Sequence, residues 1–97
     1  MEYRIKSIKH SGRKGLRGTD RTDGRYPDRI GRVVELEPTE CEIGFPFMLN
    51  YIRLADGSDY SNMYLHCSRL VKIRASIDDE LVLVETLNTL YEFEKCR

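Results

Sequence analysis

Residues 80–95, Glu-Leu-Val-Leu-Val-Glu-Thr-Leu-Asn-Thr-Leu-Tyr-Glu-Phe-Glu-Lys, decide the fold. Read as a helix capped by an aspartate, this stretch would carry four apolar side chains on one face: Leu83, Leu87, Leu90 and Tyr91. Read as strands, it is rich in β-prone residues: Val82, Val84, Thr86, Thr89, Tyr91 and Phe93. We predict a hairpin that turns at Leu87-Asn88. A continuous helix over 79–94 is the alternative, and it would rule out a barrel.

Three earlier segments also have strand patterns. Residues 3–8 alternate apolar and basic side chains, which is typical of a strand with one solvated face. Residues 29–37 alternate again until Pro38 ends the pattern, and they predict a second strand. Residues 45–54 are apolar at both odd and even positions, so we expect a third strand buried on both sides.

Turn residues separate the remaining strands. Asp56-Gly57 is a strong hairpin signal, so we expect the third strand to pair with one that starts near Tyr60 and points Met63, Leu65 and Cys67 inward. The alternation slips over 67–70, which predicts a short turn or bulge before the strand resumes at 71–75. Asp78-Asp79 predicts the next turn.

Together these segments predict a mostly β chain with five or six short antiparallel strands. Closure of such a sheet protects strand edges in a small domain, so a small SH3-like or OB-like barrel is expected. A chain of 97 residues with 40% hydrophobic residues has material for one core, and we treat 1–97 as one domain.

A long basic loop interrupts the strands at 11–28, where four glycines and one proline occur with little apolar sequence. We expect it to be flexible. Gly12, Gly15 and Gly18 recur every third residue among Arg and Lys, a pattern that offers amides and cations to phosphate. The spacing matches neither nucleotide-binding glycine motif, and a solvated loop is the simpler interpretation.

Charge is distributed unevenly along a chain whose net charge is zero. Residues 1–32 contain ten Lys or Arg and four Asp or Glu, whereas residues 33–97 contain six and twelve. This asymmetry predicts either a basic surface for an anionic partner or pairing between the two halves of the chain.

No catalytic, metal or cofactor site is predicted. His66 and Cys67 are adjacent, so on a strand they face opposite sides and cannot act together. His10 is the only other imidazole, and the carboxylates fall in turns or on solvated strand faces. Cys67 is expected to be a buried structural thiol.

The cellular setting is inferred from what the sequence lacks. The first ten residues have no apolar signal-peptide core, and no run is long enough to span a membrane. Three cysteines, widely spaced, fit reduced thiols better than a disulfide framework. We therefore predict a cytoplasmic protein without membrane contact.

Two stretches resemble known groups of proteins. Residues 29–36, Arg-Ile-Gly-Arg-Val-Val-Glu-Leu, are similar to the Gly-x-Val strand of KOW-type and other SH3-like barrels. Residues 65–73, followed by 84–93, resemble small uncharacterised bacterial and phage β proteins. The second resemblance implies a barrel and a mobile-element setting, and it implies no activity or site.

The function we predict is a non-enzymatic binding or accessory module whose partner is a protein, with the basic segment 11–32 ordered on contact. The alternative is a barrel that binds RNA or DNA through phosphates with the basic segment 9–32. Under either hypothesis the contact residues are Lys9, Arg13, Lys14, Arg17, Arg21, Arg25 and Tyr26.

Overall fold

The computed structural model describes residues 1–12 and 15–96, and in it six antiparallel strands form a closed barrel. Each strand pairs with its neighbours in sequence, and the first pairs with the last. The elements in chain order are β1 (Glu2–His10), the single-turn helix α1 (Tyr26–Arg29), β2 (Val33–Glu35), a 3₁₀ turn (Pro38–Glu40), β3 (Pro46–Arg53), β4 (Tyr64–Ala75), β5 (Leu81–Thr86) and β6 (Thr89–Lys95).

The hairpin predicted for the end of the chain is confirmed. Strands β5 and β6 are separated only by Leu87 and Asn88, and Val84 lies opposite Tyr91. Strand β6 then pairs along β1, where Ile5 faces Phe93. A helix over 79–94 would have removed both β5 and β6, so the β-prone residues of this stretch determine that the barrel closes.

The core fills the barrel with the inward side of each strand. Phe47, Tyr91 and Phe93 form an aromatic cluster in which ring centroids lie 5.7–6.5 Å apart. Such tilted and stacked pairs add to the stabilisation from apolar burial. The buried core residues are Tyr3, Ile5, Ile8, Val34, Leu36, Phe47, Leu49, Tyr51, Leu65, Leu70, Val82, Val84, Tyr91 and Phe93.

The expectation that the third strand is buried on both sides is wrong. In β3 the side chain of Phe47 is 3% exposed, whereas that of its neighbour Met48 is 54% exposed. Phe45, just before the strand, is also exposed. The barrel wall is one sheet thick, and among the described residues no other layer covers the outer side of β3. Its outward apolar side chains therefore remain in solvent.

The second strand is shorter than the 29–37 predicted from its pattern. Only Val33–Glu35 pairs, because Tyr26–Arg29 forms α1 and Gly31 adopts the left-handed backbone conformation at φ 88°. Val34 lies opposite Tyr3 on the inner side of the wall, and Val33 lies opposite Arg4 on the outer side, although both valines are buried. The alternation predicted over this segment therefore holds within β2, and the register shift between Val33 and Val34 lies in its pairing with β3.

The connection between β3 and β4 is longer than predicted. Leu54 and Ser58 close the Asp-Gly turn through a backbone hydrogen bond of 2.9 Å, yet β4 begins at Tyr64 rather than near Tyr60. Leu65 is buried and Cys67 partly buried as expected, but Met63 is exposed, so its inward placement is wrong.

Further along, the irregularity expected over 67–70 is confirmed. The pairing of β4 with β3 shifts register between His66 and Arg69, and its pairing with β5 shifts again between Leu70 and Lys72. The turn at Asp78-Asp79 is confirmed, with Asp79 at φ 58°. In the part of the chain that the structure describes, no helix has the length and apolar character needed to cross a membrane.

Candidate functional site

The described part of the basic loop is attached to one end of the barrel. The His10 amide donates to Thr19 O, and the Gly18 amide donates to His10 O, both at 2.9 Å. The Arg21 amide donates to Ile8 O at 2.9 Å. These bonds pair residues 18–21 with the last three residues of β1. The flexibility expected for 11–28 stays a prediction, and Arg13 and Lys14 lie outside the described residues.

Arg17 is paired with an acidic residue of the barrel wall. Its guanidinium donates two hydrogen bonds to the Glu85 carboxylate, at 2.8 and 3.1 Å, and a third to Ser11 O at 2.8 Å. The hydrogen bonds from Arg17 lower the pKa of Glu85. This contact pairs the basic and acidic halves of the sequence, which was one of the two predicted uses of the charge asymmetry.

Arg21 is held even more closely. It bonds both carboxylate oxygens of Asp23, at 2.6 and 3.1 Å, and Thr89 Oγ1 at 2.8 Å. The hydrogen bonds from Arg21 lower the pKa of Asp23 to about 2. The Arg21 guanidinium also lies 4.0 Å from the centre of the Tyr26 ring, and that of Arg29 lies 4.8 Å away. Tyr26 is therefore already engaged by two cations and is not presented for base stacking.

Lys9 and Arg25 are the two predicted contact residues whose side chains have no hydrogen bond or ion pair within 1–12 and 15–96. Lys9 is on β1 opposite Leu90 of β6, on the outer side of the barrel wall. Arg25 immediately precedes α1. The described members of the predicted set therefore divide into paired side chains, Arg17, Arg21 and Tyr26, and two unpaired cations on different elements.

The histidines and Cys67 are not arranged for catalysis. The Cys67 thiol donates to the Tyr91 hydroxyl at 3.3 Å, and burial raises the pKa of Cys67 to about 11. His10 borders a different cavity, lined by Gly12, Arg21, Tyr26 and Asn88. His66 lies on the outer face opposite Met48. Among the residues that the structure describes, no three metal-binding side chains converge.

Three tyrosines near the Asp-Gly turn do not form a shared surface on which nucleic-acid bases could stack. Tyr51 is buried, and Tyr60 packs partly buried against it with ring centroids 5.3 Å apart. The Arg32 guanidinium lies 5.2 and 5.0 Å from these two ring centres. Tyr64 alone is outward and exposed. Tyr51 and Tyr60 are therefore packing residues of the barrel.

Sequence reasoning missed an exposed surface on β3 and β4, which we call the apolar face. It consists of Phe45, Met48, Met63 and Tyr64, and Ile43 precedes it in the chain. Met48 lies opposite His66 and Asn50 opposite Tyr64, so Met48 and Tyr64 are diagonal neighbours on one side of the wall. Phe45 and Tyr64 are 60% and 59% exposed.

A hollow of about 330 Å³ borders the apolar face. Phe45 and Met48 line one side of it, and Glu40 and Glu42 stand on the connection that lines the other. A signal for this surface was present in the sequence. An outer face of an antiparallel sheet is normally polar, so the apolar residues at both parities of 45–54 indicated either double burial or an uncovered contact surface.

Comparison with models of protein families, with curated proteins and with solved structures finds no match for this chain. The resemblance to SH3-like and KOW-type barrels, and to small bacterial or phage β proteins, therefore stays a prediction.

Proposed function

We propose that this chain is a non-enzymatic protein-interaction module whose contact surface is the apolar face of β3 and β4. The observation that carries the proposal is the exposure of Phe45, Met48, Met63 and Tyr64, of which Phe45 and Met48 also line a hollow. Contiguous exposed apolar side chains on a small domain are typical of a surface that another protein covers.

The composition of the apolar face suits a protein partner. Aromatic residues and Met are enriched in the centres of protein interfaces, and Met adapts its shape to different partners. The hollow beside Phe45 and Met48 has room for one apolar anchor side chain. Glu40 and Glu42 line the same hollow, so the anchor is expected to be followed by Lys or Arg in the partner.

A nucleic-acid partner is less well supported. Arg17 and Arg21 are occupied by Glu85 and Asp23, and the Tyr26 ring is engaged by two guanidinium groups. Phosphate binding at Arg17 or Arg21 would have to separate these pairs first. The basic segment is better explained as one that is held against the barrel by its own ion pairs.

We further propose that the barrel is SH3-like rather than OB-like. Its strands pair in consecutive order, β1 to β6, whereas the OB fold is a five-stranded Greek-key barrel. The three unpaired cysteines, which are free in the described residues, support the cytoplasmic setting predicted from sequence.

A peptide selection tests the function directly. Phage-displayed random peptides are selected on the wild-type protein, and the binders are then measured against Met48→Asp and Ile77→Asp. Ile77 is a matched control, because it is fully exposed on a turn and outside the apolar face. Circular dichroism establishes that both variants are folded.

We expect selected peptides with an apolar anchor next to Lys or Arg, which bind wild type and Ile77→Asp but lose at least roughly tenfold in affinity on Met48→Asp. Equal binding to Met48→Asp, or failure to select any peptide, would overturn the proposal. Dimerisation of the wild type that Met48→Asp abolishes would assign the apolar face to a second copy of the chain instead.

A further inference from the structure

A second surface lies on the outer side of β4, β5, β6 and β1. Backbone pairing places two rows of side chains across these strands. The first row is Lys9, Leu90, Glu85 and Lys72, and the second is Ser7, Glu92, Leu83 and Arg74. These eight residues line a groove of about 260 Å³.

An apolar pair, Leu83 and Leu90, lies in the middle of the groove beside the carboxylates of Glu85 and Glu92. Leu90 and Leu83 belong to adjacent rows on adjacent strands, so they are diagonal neighbours and form one continuous patch. Leu83 is 44% exposed, and Leu90 is partly buried. A leucine-sized side chain placed over this pair would remove apolar surface of both partners from water.

The walls of the groove are cationic. Lys9 stands at one side, and Lys72 and Arg74 stand at the other. None of these three side chains has a hydrogen bond or ion pair among the described residues. Of the two carboxylates between them, Glu85 is paired with the Arg17 guanidinium, whereas Glu92 accepts a neutral hydrogen bond from Ser7 Oγ at 3.1 Å and keeps its charge. The unpaired positive charge therefore exceeds the unpaired negative charge.

We propose that this groove binds an acidic protein segment in extended conformation, with the pattern acidic-x-Leu-x-acidic. Lys9 and Lys72 are three strand spacings apart, which is about 14 Å at 4.7–4.9 Å per spacing. In an extended peptide, side chains at i and i+4 lie on one side about 13–14 Å apart, with residue i+2 midway between them. One acidic residue then faces each cationic wall, and the leucine covers Leu83 and Leu90.

A nucleic acid fits the groove less well. Among the described residues, no exposed aromatic ring borders it for base stacking, because the Tyr91 side chain is buried in the core. The carboxylates of Glu85 and Glu92 in the middle would also repel a continuous phosphate backbone. A segment with charge only at its two ends avoids them.

Fluorescence anisotropy with a labelled peptide tests the assignment. The probe is fluorescein-Gly-Glu-Ser-Leu-Ser-Glu-Gly. One control peptide has serine in place of the leucine, and the other keeps the leucine but has its two glutamates only two residues apart. The protein variants are Lys72→Glu with Arg74→Glu, Glu92→Gln, and Arg25→Glu as a charge-matched control outside the groove.

We expect the double charge reversal to weaken binding roughly tenfold or more, and Arg25→Glu to change it less than about twofold. Glu92→Gln removes a repulsive carboxylate and is expected to tighten binding by about two- to fivefold. Both control peptides should bind more weakly than the probe, because one lacks the leucine that covers Leu83 and Leu90 and the other lacks the spacing that places a glutamate at each cationic wall.

Three results would overturn the proposal: equal affinity for the probe and both control peptides, no effect of the double reversal, or displacement of the probe by a thymidine oligonucleotide at similar concentration. Met48→Asp separates this surface from the apolar face. It should leave probe binding unchanged, whereas loss of probe binding would move the peptide to the apolar face.

Discussion

Phe47 and Met48 are adjacent on β3, and their side chains lie on opposite sides of the barrel wall. Phe47 contacts the aromatic cluster of the core, and Met48 belongs to the apolar face. Truncation of each to alanine therefore measures whether β3 has one buried side or two. The comparison is decisive for the proposed function, because the apolar face exists only if Met48 is uncovered.

The two substitutions should differ strongly in free energy of unfolding. Phe47→Ala removes a buried ring whose neighbours Tyr91 and Phe93 can close the space only in part, at a cost of about 3–5 kcal/mol. Met48→Ala removes a mostly solvated side chain and should change stability by less than about 0.5 kcal/mol. A domain of this size has about 5–15 kcal/mol in total, so Phe47→Ala is near the tolerable limit.

Equilibrium urea unfolding, followed by circular dichroism, provides the measurement. With a slope of about 1.5 kcal/mol per molar urea, Phe47→Ala should lower the midpoint by about 2–3 M, and Met48→Ala by less than about 0.4 M. If Phe47→Ala does not fold, Phe47→Leu should still lower the midpoint by about 1 M or less. A cost above about 2 kcal/mol for Met48→Ala would refute the one-sided strand and the apolar face with it.

Three further predictions concern Gly31, Asp23 and Cys67. Gly31→Ala should destabilise the fold by about 1–2 kcal/mol because of its left-handed backbone, and by more because the new Cβ would lie 2.8 Å from Ala55 Cβ. Gly57→Ala is the control in thermal unfolding, since Gly57 has a similar φ and no neighbour within 4 Å. An equal loss of stability in both variants would exclude the clash with Ala55. Arg21 lowers the pKa of Asp23 from 3.8 to about 2, so the contact between them contributes fully to the stability of the fold above about pH 4 and is lost as the pH falls through about 2. In Arg21→Gln, carboxyl NMR titration should show the Asp23 midpoint return toward 3.8. An unchanged midpoint would contradict the pairing. With a pKa of about 11, only about one Cys67 side chain in a thousand is a thiolate at pH 8. Iodoacetamide should therefore modify Cys96 before Cys67, as followed by mass spectrometry. Rapid labelling of Cys67 would reopen an enzymatic interpretation.

The sequence predicted the barrel where local preference and hydrophobic pattern agreed. In 80–95, β-branched and aromatic residues alternate on both sides of Leu87-Asn88, and the hairpin forms there. Strand β1 and the turn at Asp78-Asp79 were predictable for the same reason. These features depend on residues that are close together in the chain, so a single sequence is enough to predict them.

Other features depend on what lies across the fold. The apolar residues of 45–54 fit a doubly buried strand equally well until the structure shows nothing over Met48 within the described ranges. The partner of Arg17 is Glu85, 68 positions away, and no local pattern identifies such a pair. The groove between Lys9 and Lys72 is formed by four strands, and their pairing register decides which side chains line it. The sequence alone therefore predicted only part of the groove.

The pairing of β1 with β6 also has a consequence for how the barrel assembles. Strands β1 and β6 come from opposite ends of the barrel segment, so this seam is its most non-local contact and must wait for an expensive loop closure. Until it forms, β1 and β6 each present an unpaired edge that can recruit another chain. A chain that ends at Asn88 lacks β6, so the edges of β1 and β5 stay unpaired, and such truncated chains should aggregate rather than remain as a smaller open sheet.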